Sequence, residues 1–384
     1  MCDGFRGARR EARVLLDVSP LAIPYNGTWR FTVEVLRALF ESRIGFHAVS
    51  LRAIQMDALP DDVAHALPAV LVQSGHRMPE WRHLIWEAIW LARRSIRYDI
   101  TICPYVSLAN AVWGRRVVLT VHDTWCLEHH GNVFRSMILS ALRKRSVMRA
   151  PHVLTVSEFS RRRISDIVRR QDARVISNGA SYTLGRPCGL RIPCSIMYVG
   201  GYEGRKNVGF LVEALAEVRN ELPPSWRLFL VGNVSNAVAG LVDELGLNEY
   251  VRMVGVLDGT QLESMYGSMR VLAFPSLYEG FGLPLVEAMA SGTPVVALAC
   301  SAIPEVVRDG GLLVAPNDRR AFGMAIATLL KDEREWCVRS GLAVARAREF
   351  TWDRMHAMFC AFMCEVVPDA VPLSVADGGM CLRD

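Results

Sequence analysis

The chain has 384 residues, of which 51% are hydrophobic and 22% charged, and its formal net charge at pH 7 is +5. This length and apolar content predict two domains with sizeable cores, and no apolar run reaches the ~18 residues of a membrane-spanning helix. The first ten residues are charged without a following apolar segment, so no secretory signal is expected and a cytoplasmic location is predicted.

Short apolar runs alternate with helical patterns along the whole chain, which predicts parallel sheets covered by helices on both faces. The first half contains a predicted helix at 32–40 and predicted strands at 13–18, 98–103, 117–121 and 153–156. A Gly/Pro-punctuated linker follows at 184–193, and the pattern then restarts. The second half has predicted strands at 195–199, 227–231, 251–254, 271–274, 294–299 and 312–314.

Two such runs joined by a linker predict two doubly wound domains, with ligands bound at the carboxyl ends of the strands. The predicted boundaries place the first domain at 1–185 and the second at 186–350. Residues 368–384 have no periodicity and are predicted to be a loose tail.

The ten cysteines are scattered without any Cys-x-x-Cys pair, so neither a zinc site nor a disulfide framework is predicted. His122, Asp123, Glu128, His129 and His130 lie close together but lack a recognised ligand spacing, and we predict no metal and no cofactor.

The positive charge is concentrated in the first half of the chain. Residues 1–185 hold 26 Lys+Arg against 16 Asp+Glu, a net charge of +10, whereas residues 186–384 hold 18 against 23, a net charge of −5. Arginine clusters at 143–149 and 161–170 supply much of this charge, which fits either an anionic membrane surface or ordinary solvated helix faces. Nucleic acid is not a predicted partner, because no aromatic-interleaved basic motif is present.

Residues 81–90 form an apolar stretch that contains three tryptophans and two isoleucines, and Arg93-Arg94 follow it. This pattern suits a packed domain helix better than a helix lying on a membrane, although both interpretations remain open.

The segment Tyr198-Val-Gly-Gly-Tyr-Glu-Gly-Arg-Lys-Asn-Val208 follows the first strand of the second half. Its glycines, including Gly201, predict a flexible strand-to-helix turn that delivers Arg205 and Lys206. A guanidinium fork beside a lysine suits a diphosphate, although a plain surface pair is the alternative. Neither the dinucleotide-binding fingerprint nor a Walker loop is present.

The most informative segment is Ser276-Leu-Tyr-Glu-Gly-Phe-Gly-Leu-Pro-Leu-Val-Glu287. It predicts a strand followed by a glycine turn and a helix with Pro284 as its first residue and Glu287 in its first turn. The free amides of a helix start can hold an anion, and Glu279 and Glu287 on either side suit hydroxyl groups. A nucleotide sugar has both features, whereas an ordinary turn and a favoured helical Glu remain the simpler alternative.

Two motifs of the first half also place a residue at a predicted cleft position. Gly27, in Asn26-Gly-Thr-Trp-Arg-Phe31, opens a helix and could bring backbone close to phosphate. His122 follows an apolar strand directly and so lies at a strand end.

Together these motifs resemble those of the family 4 retaining glycosyltransferases, which have the two-domain GT-B fold. The resemblance extends from about residue 13 to residue 363, and also includes Ser291-Gly-Thr-Pro-Val-Val296, Thr155-Val-Ser-Glu-Phe-Ser160, Val175-Ile-Ser-Asn-Gly179 and Ile303-Pro-Glu305. It implies two Rossmann-like doubly wound parallel-sheet domains facing a central cleft, with a helix at 351–367 that crosses back to the first domain. With His122-Asp123 included, the set is similar to mannosyltransferases that build bacterial surface polysaccharides.

The resemblance also implies roles for individual residues. Arg205 and Lys206 are expected to bind the donor diphosphate and Glu287 the ribose, while His122 is expected beside the donor sugar. Arg205, Lys206, Glu279 and His122 are the candidate catalytic residues, and the candidate donor-binding residues are Gly27, Gly201, Arg205, Lys206, Val256, Glu279, Gly280, Phe281, Gly282, Leu283 and Glu287. Family members often have a second glycine where this chain has Trp29.

The expected activity is retaining, metal-independent transfer of a sugar, with mannose from GDP-mannose as the first candidate, to a glycan or lipid-linked acceptor. A sugar-nucleotide epimerase and a non-catalytic nucleotide-sugar-binding protein are the alternatives.

Overall fold

A computed structural model of the chain describes residues 14–24, 26–42, 44–50, 52–73, 84, 87–112, 116–128, 134–180, 191–201, 204–233 and 235–368. The chain divides into two compact units. The first comprises the residues up to Val156, Ser160–Ile176 and the residues from Asp353 onward, and the second comprises Ser157–Phe159 and Ser177–Trp352. The predicted linker falls mostly outside the described residues, as does the predicted tail apart from residue 368.

The first unit contains one parallel sheet of seven strands in the order β3-β2-β1-β4-β5-β6-β7. The strands are β1 (Val14–Asp17), β2 (Phe46–Val49), β3 (Leu71–Gln73), β4 (Ile100–Cys103), β5 (Val117–Val121), β6 (Val153–Thr155) and β7 (Arg174–Val175). The helices are α1 (Gly27–Glu41), α2 (Asp61–Val70), α3 (Ala92–Ser95, preceded by a π-helical turn Glu87–Leu91), α4 (Ala109–Val112), α5 (Phe134–Arg149), α6 (Glu158–Val168, which begins in Ser157–Phe159) and α14 (Trp352–Val366).

The second unit contains a parallel sheet of six strands in the order β10-β9-β8-β11-β12-β13. These are β8 (Ser195–Val199), β9 (Arg227–Val231), β10 (Val251–Gly255), β11 (Val271–Phe274), β12 (Val295–Leu298) and β13 (Gly311–Val314). The helices are α7 (Val208–Glu217), α8 (Asn236–Glu244), α9 (Gly259–Ser268), α10 (Leu283–Ala290), α11 (Ile303–Val307), α12 (Arg319–Lys331) and α13 (Glu333–Ala347).

Both sheets confirm the predicted α/β class, because all their strand pairs are parallel and the strand order reverses beside the first strand of each unit. Strands β1, β4, β5, β8, β11 and β12 are buried along nearly their whole length, as expected of strands covered on both faces. Such a switch point leaves a crevice at the carboxyl ends of the central strands.

The C-terminal helix α14 belongs to the first unit from Asp353 onward, although the residues just before it belong to the second. Met355, Phe359 and Met363 bury its apolar side. Its polar contacts to α1 include His356, whose Nε2 lies 2.9 Å from the Glu34 carboxylate. The helix therefore adds both apolar and ionic contacts to the first unit.

The segment preceding β4 is buried on one side where it is described, whereas Ile89 and Ile96 on it are exposed. Leu91 and Ala92 belong to the core of the first unit, which agrees with a packed helix, whereas residues 81–83, 85 and 86 lie outside the described part. Among the described residues, no helix combines the length and the apolar character that crossing a membrane requires.

Candidate functional site

The carboxyl ends of β8, β9 and β10 meet in three glycines of unusual conformation. Gly200, Gly232 and Gly255 have φ values of +155°, +113° and +80°. The amide of Gly200 donates to Val231, and that of Gly232 donates to Gly255. A Cβ on Gly232 would lie 2.1 Å from the carbonyl oxygen of Gly200, so no side chain fits between the two turns. The carboxyl ends of these three strands therefore present backbone without side chains at the three glycines.

Arg205 and Lys206 lie in a 3₁₀ turn, Gly204–Lys206, that follows this glycine segment. The turn is fixed to the loop after β11 by two hydrogen bonds. The carbonyl of Arg205 accepts from the amide of Leu277 at 2.8 Å, and its guanidinium donates to the carbonyl of Tyr278 at 3.2 Å. The two cationic side chains are therefore held at the carboxyl end of β8, next to β11 in the sheet.

Glu279 is the anionic partner of this pair. Lys206 Nζ lies 2.7 Å from Glu279 Oε1, and Arg205 Nη1 lies 3.9 Å from Glu279 Oε2. The backbone of Glu279 is fixed as well, because its amide donates to Ser301 Oγ at 3.0 Å and its carbonyl accepts from Ala302 at 3.3 Å. The structure thus joins two sequence motifs that are 73 residues apart.

The residues after Glu279 lead directly into α10. Gly282 precedes the helix with a φ of +96°, and Leu283 is its first residue. Phe281 is buried edge-to-face against Phe350, with ring centroids 5.4 Å apart. This packing fixes the turn and the direction of the backbone amides that lead into α10, up to that of Leu283. Within the helix, Pro284 has no N–H and the amide of Leu285 already donates to the carbonyl of Gly282 at 3.0 Å. Backbone amides ahead of a helix are an arrangement that anions favour.

The predicted start of this helix was wrong by one residue. The helix begins at Leu283, so Pro284 is its second residue and Glu287 its fifth, beyond the first turn. Glu287 is only 2% exposed, and its Oε2 accepts a hydrogen bond from the hydroxyl of the buried Tyr266 at 2.9 Å. Glu287 is therefore a buried carboxylate held by a neighbouring helix, and the helix dipole contributes little to its placement.

The other two predicted donor-binding residues of the second unit lie at the same edge of the sheet. The carbonyl of Gly201 accepts from the hydroxyl of Tyr198 at 2.7 Å, which fixes the direction of the glycine turn. Val256 follows β10 and is exposed. The sequence-predicted residues of the second unit thus all follow strands β8, β10 or β11.

In the first unit, Gly27 is the first residue of α1, as predicted. The side chain of Asn26 caps the helix by accepting from the amide of Trp29 at 2.8 Å. The indole of Trp29 is buried, so the residue that replaces the common second glycine packs into the first unit.

His122 directly follows β5, and its ring is fixed by two contacts. Nε2–H donates to the carbonyl of Pro104 at 2.8 Å, and the ring lies edge-to-face with Phe31 at a centroid distance of 4.9 Å. Burial lowers the pKa of His122, and this effect exceeds the opposing hydrogen bond to Pro104 and the charge of Asp123. The imidazole is therefore neutral near pH 7, with its proton on Nε2.

The acidic residues near His122 make other contacts. Asp123 accepts from the amide of Trp125, and Glu128 pairs with Arg163 at 2.9 Å, while residues 129 and 130 lie outside the described part. Within the described ranges, no group of three His, Cys, Asp or Glu is placed to hold a metal.

Several arginines of the two basic clusters are bound within the protein. Arg163 pairs with Glu128 and Asp166, and Arg170 pairs with Asp172 and donates to three backbone carbonyls. In the other cluster, Arg143 and Arg145 donate to the carbonyls of residues 126 and 111. These residues have structural roles as well as charge.

The sequence interpretation did not include Tyr266 or Ser301. Tyr266 is a buried tyrosine on α9, and Ser301 lies after β12 in a left-handed conformation. Neither has a local sequence signal that separates it from an ordinary core tyrosine or turn serine, because each becomes relevant only through contacts between elements.

Comparison with known proteins agrees with this geometry. Residues 25–183 match the family model described as Glycosyltransferase Family 4, and residues 193–332 match the model described as Glycosyl transferases group 1. The O-antigen chain mannosyltransferase B of Escherichia coli is 27% identical over 375 residues, covering 89% of this chain and 96% of the relative. The MMP alpha-(1->4)-mannosyltransferase of Mycolicibacterium hassiacum is 33% identical over 277 residues, covering 70% and 63%.

Solved structures show the same fold. The sucrose-phosphate synthase of Thermosynechococcus elongatus superposes with a TM-score of 0.75 at 20% identity, covering 93% of this chain and 99% of that one. HepE of Anabaena, in complex with UDP, has a TM-score of 0.70 at 19% identity, covering 92% and 100%. With two glycosyltransferase models matched in succession and the GT-B fold shared, this chain belongs to the family 4 glycosyltransferases.

Proposed function

We propose that the chain transfers mannose, with GDP-mannose as the first donor to test, to a glycan or lipid-linked acceptor during surface polysaccharide synthesis. The relatives named as mannosyltransferases of the O-antigen chain and of MMP support mannose as the sugar. The observation that carries the proposal is the contact of Lys206 and Arg205 with Glu279 beside the start of α10.

This arrangement suits the chemistry of sugar transfer from a nucleoside diphosphate. When the bond between sugar and phosphate breaks, negative charge develops on the leaving diphosphate. Two fixed cations and the backbone amides that lead into α10 would stabilise that charge without any movement at the moment of reaction. Glu279, with the amides of residues 280–282, would hold hydroxyl groups of the sugar, and Glu287 would hold the ribose.

The proposed stereochemistry is retention of the anomeric configuration. A leaving phosphate oxygen that accepts the acceptor proton on the same face of the sugar needs no nucleophilic carboxylate from the protein. We assign Gly27 to the diphosphate and His122 to the neighbourhood of the sugar. The neutral imidazole of His122 can accept a hydrogen bond at Nδ1 because Nε2 carries the proton.

The roles of Arg205 and Lys206 can be tested by substitution. Arg205→Ala and Lys206→Ala should each lower the rate of transfer by at least ~100-fold, the scale of one lost partner for transition-state charge. Lys331→Ala removes an equally charged, exposed residue at the end of α12 and serves as the matched control. Unchanged turnover in both site variants would reject the assignment.

The proposed independence of metal has its own test. Transfer should continue after treatment with EDTA, because two side-chain cations are available to the leaving group. If EDTA abolished activity and added Mg²⁺ or Mn²⁺ restored it, the cations of the protein would be insufficient.

A panel of nucleotide sugars, incubated with and without a lipid-linked acceptor, tests the function as a whole. Acceptor-dependent formation of an α-mannosyl product from GDP-mannose, identified by NMR, is the expected result. A changed sugar nucleotide without acceptor would indicate an epimerase, and binding without turnover would indicate a non-catalytic binding protein. Because a lipid-linked acceptor lies in a bilayer, we propose that the protein works peripherally at the inner face of the membrane.

A further inference from the structure

The outward face of α5 (Phe134–Arg149) carries several exposed apolar side chains. Met137, Ile138 and Met148 are 49%, 45% and 53% exposed, and Ala141 between them is exposed too. Met137, Ala141 and Met148 are spaced by four and seven residues, which places them in one stripe along the helix. Arg145 is also exposed and lies on the same side of the helix between Ala141 and Met148, so the apolar stripe has a basic residue within it.

The opposite side of α5 is already used for packing. Val147 lies in the core, and the hydroxyls of Ser140 and Ser146 donate to the carbonyls of Leu127 and Ser107. The helix is thus anchored by its inner face, and the apolar stripe is not required to hold it in place.

The charge of α5 is entirely positive. Its sequence contains Arg135, Arg143, Lys144, Arg145 and Arg149 and no acidic residue. Lys144 and Arg149 are partly exposed, on either side of the apolar stripe, and neither has an ion pair or hydrogen bond within the described part of the chain. An apolar stripe with basic flanks is the pattern of a helix that lies in the interface of an anionic bilayer.

A second basic and apolar segment lies close to this helix. Ile89 and Ile96 are exposed, and so are Arg93 and Arg97. This segment and α5 both contact the short helix α4 (Ala109–Val112). The combination of exposed isoleucines with arginines therefore extends beyond one helix.

Self-association explains this surface less well. A two-fold contact through α5 would place the same positively charged residues opposite each other. Val338 and Leu342 are also exposed, but their helix α13 has three arginines against two glutamates, a net charge of +1, whereas α5 has five basic residues and no acidic one, a net charge of +5. The positive charge around the apolar stripe thus favours a negatively charged apolar partner.

We propose that the outward face of α5 binds anionic lipid bilayers, with Met137, Ile138 and Met148 entering the headgroup region and Lys144 and Arg149 contacting lipid phosphates. This assignment places membrane contact on α5 rather than on the arginines of α6. It deepens the proposed function by stating how the enzyme would reach a lipid-linked acceptor, and its test needs neither donor nor acceptor.

The experiment measures partition of the full chain to vesicles of phosphatidylcholine alone and of phosphatidylcholine with phosphatidylglycerol, at low and high salt. Met137→Ser/Ile138→Ser/Met148→Ser should weaken binding to the anionic vesicles at least ~10-fold through lost apolar burial. Lys144→Gln/Arg149→Gln should weaken it about 30-fold, since each basic residue contributes roughly a factor of five.

Two matched control variants distinguish binding through the face of α5 from general effects of charge and hydrophobicity. Val338→Ser/Leu342→Ser removes exposed apolar residues from α13, and Arg162→Gln/Arg169→Gln removes two exposed charges at α6. Both should retain binding within a factor of about three. Thermal unfolding should be unchanged in all four variants, which shows that loss of partition does not reflect loss of the fold.

Several results would overturn the proposal. Equal binding to neutral and anionic vesicles, or no binding at low salt, would remove its electrostatic basis. Equal losses in the α6 variant would assign the effect to net charge alone. If the serine variant instead converted a dimer to a monomer in light scattering and kept its vesicle binding, the face of α5 would be a contact between copies of the chain.

Discussion

Replacement of Glu279 by Gln should separate binding of the nucleoside diphosphate from transfer of the sugar. Lys206 Nζ contacts Glu279 Oε1 at 2.7 Å, and the two side chains are 17% and 9% exposed. The carboxylate therefore neutralises much of the charge that the proposed diphosphate would use. Glutamine keeps the shape of the side chain and removes its charge, so Lys206 should become more available to phosphate.

The size of the effect follows from the contact. At an effective dielectric constant of about 20, unit charges at this distance attract by roughly 6 kcal/mol before desolvation is counted. Most of this is offset, because both groups gain hydration when separated and Arg205 remains near the site. A net gain of about 1–2 kcal/mol for GDP binding is expected, which corresponds to roughly 5–30-fold tighter affinity.

Transfer should change in the opposite direction. If Glu279 holds hydroxyl groups of the sugar, Glu279→Gln should lower kcat/KM for GDP-mannose at least ~100-fold while the Kd for GDP falls. Isothermal calorimetry with GDP and a transfer assay measure the two quantities. Glu263→Gln, which removes an exposed charge from α9, is the matched control and should change neither. Weaker GDP binding in Glu279→Gln would refute the reasoning, because it would mean that the carboxylate holds Lys206 in its binding position.

Three further predictions concern stability. Tyr266→Phe removes a hydroxyl that donates to the buried carboxylate of Glu287, and should lower the free energy of unfolding by about 1.5–3 kcal/mol in denaturant titrations; a value unchanged within error would show that the bond is not needed. Gly232→Ala should cost about 2–4 kcal/mol, because its Cβ would lie 2.1 Å from a carbonyl oxygen at a φ of +113°, whereas Gly240→Ala, in open space on α8, should stabilise by about 0.5–1 kcal/mol. For His356, burial alone would lower the pKa, but the hydrogen bond and charge of Glu34, with the charge of Glu41, outweigh it and raise the pKa. The stabilisation of the folded state by His356 is therefore fully present below about pH 6.5 and is lost as the pH rises through its folded-state pKa. His356→Gln should accordingly make Tm fall less steeply over this pH window. A pH profile of Tm identical to that of the unaltered protein would contradict this prediction.

The sequence predicted the elements whose pattern is local. The strands of the second unit agree with the predicted ranges to within about a residue, because continuous apolar runs between glycines and prolines mark buried parallel strands. Strands β2, β3 and β7 were not predicted. They are short or, in β2, interrupted by the exposed His47, and their extended conformation depends on pairing with neighbours.

The site could be predicted only in part for the same reason. The motifs of Arg205 and Glu279 were identified separately, but their direct contact depends on β8 and β11 being neighbours in the sheet. The start of α10 was placed one residue late, since proline suits either of the first two positions and the positive φ of Gly282 decides between them. The hydrogen bond from Tyr266 to Glu287 joins two helices, and no local sequence pattern predicts it.

The path of the chain through the two units has a consequence for how the protein can be divided. The main part of the second unit, Ser177–Trp352, is one uninterrupted stretch whose two ends run side by side, with the amide of Ala180 donating to the carbonyl of Phe350 at 3.0 Å. In topological terms it is an insertion into a host domain, and adjacent ends are what allows an inserted domain to fold without disturbing its host. The first unit, in contrast, cannot be isolated by a single cut. A fragment ending near residue 176 would lose α14 and expose the apolar surface that Met355, Phe359 and Met363 cover, so a stable first unit requires its two separated pieces together.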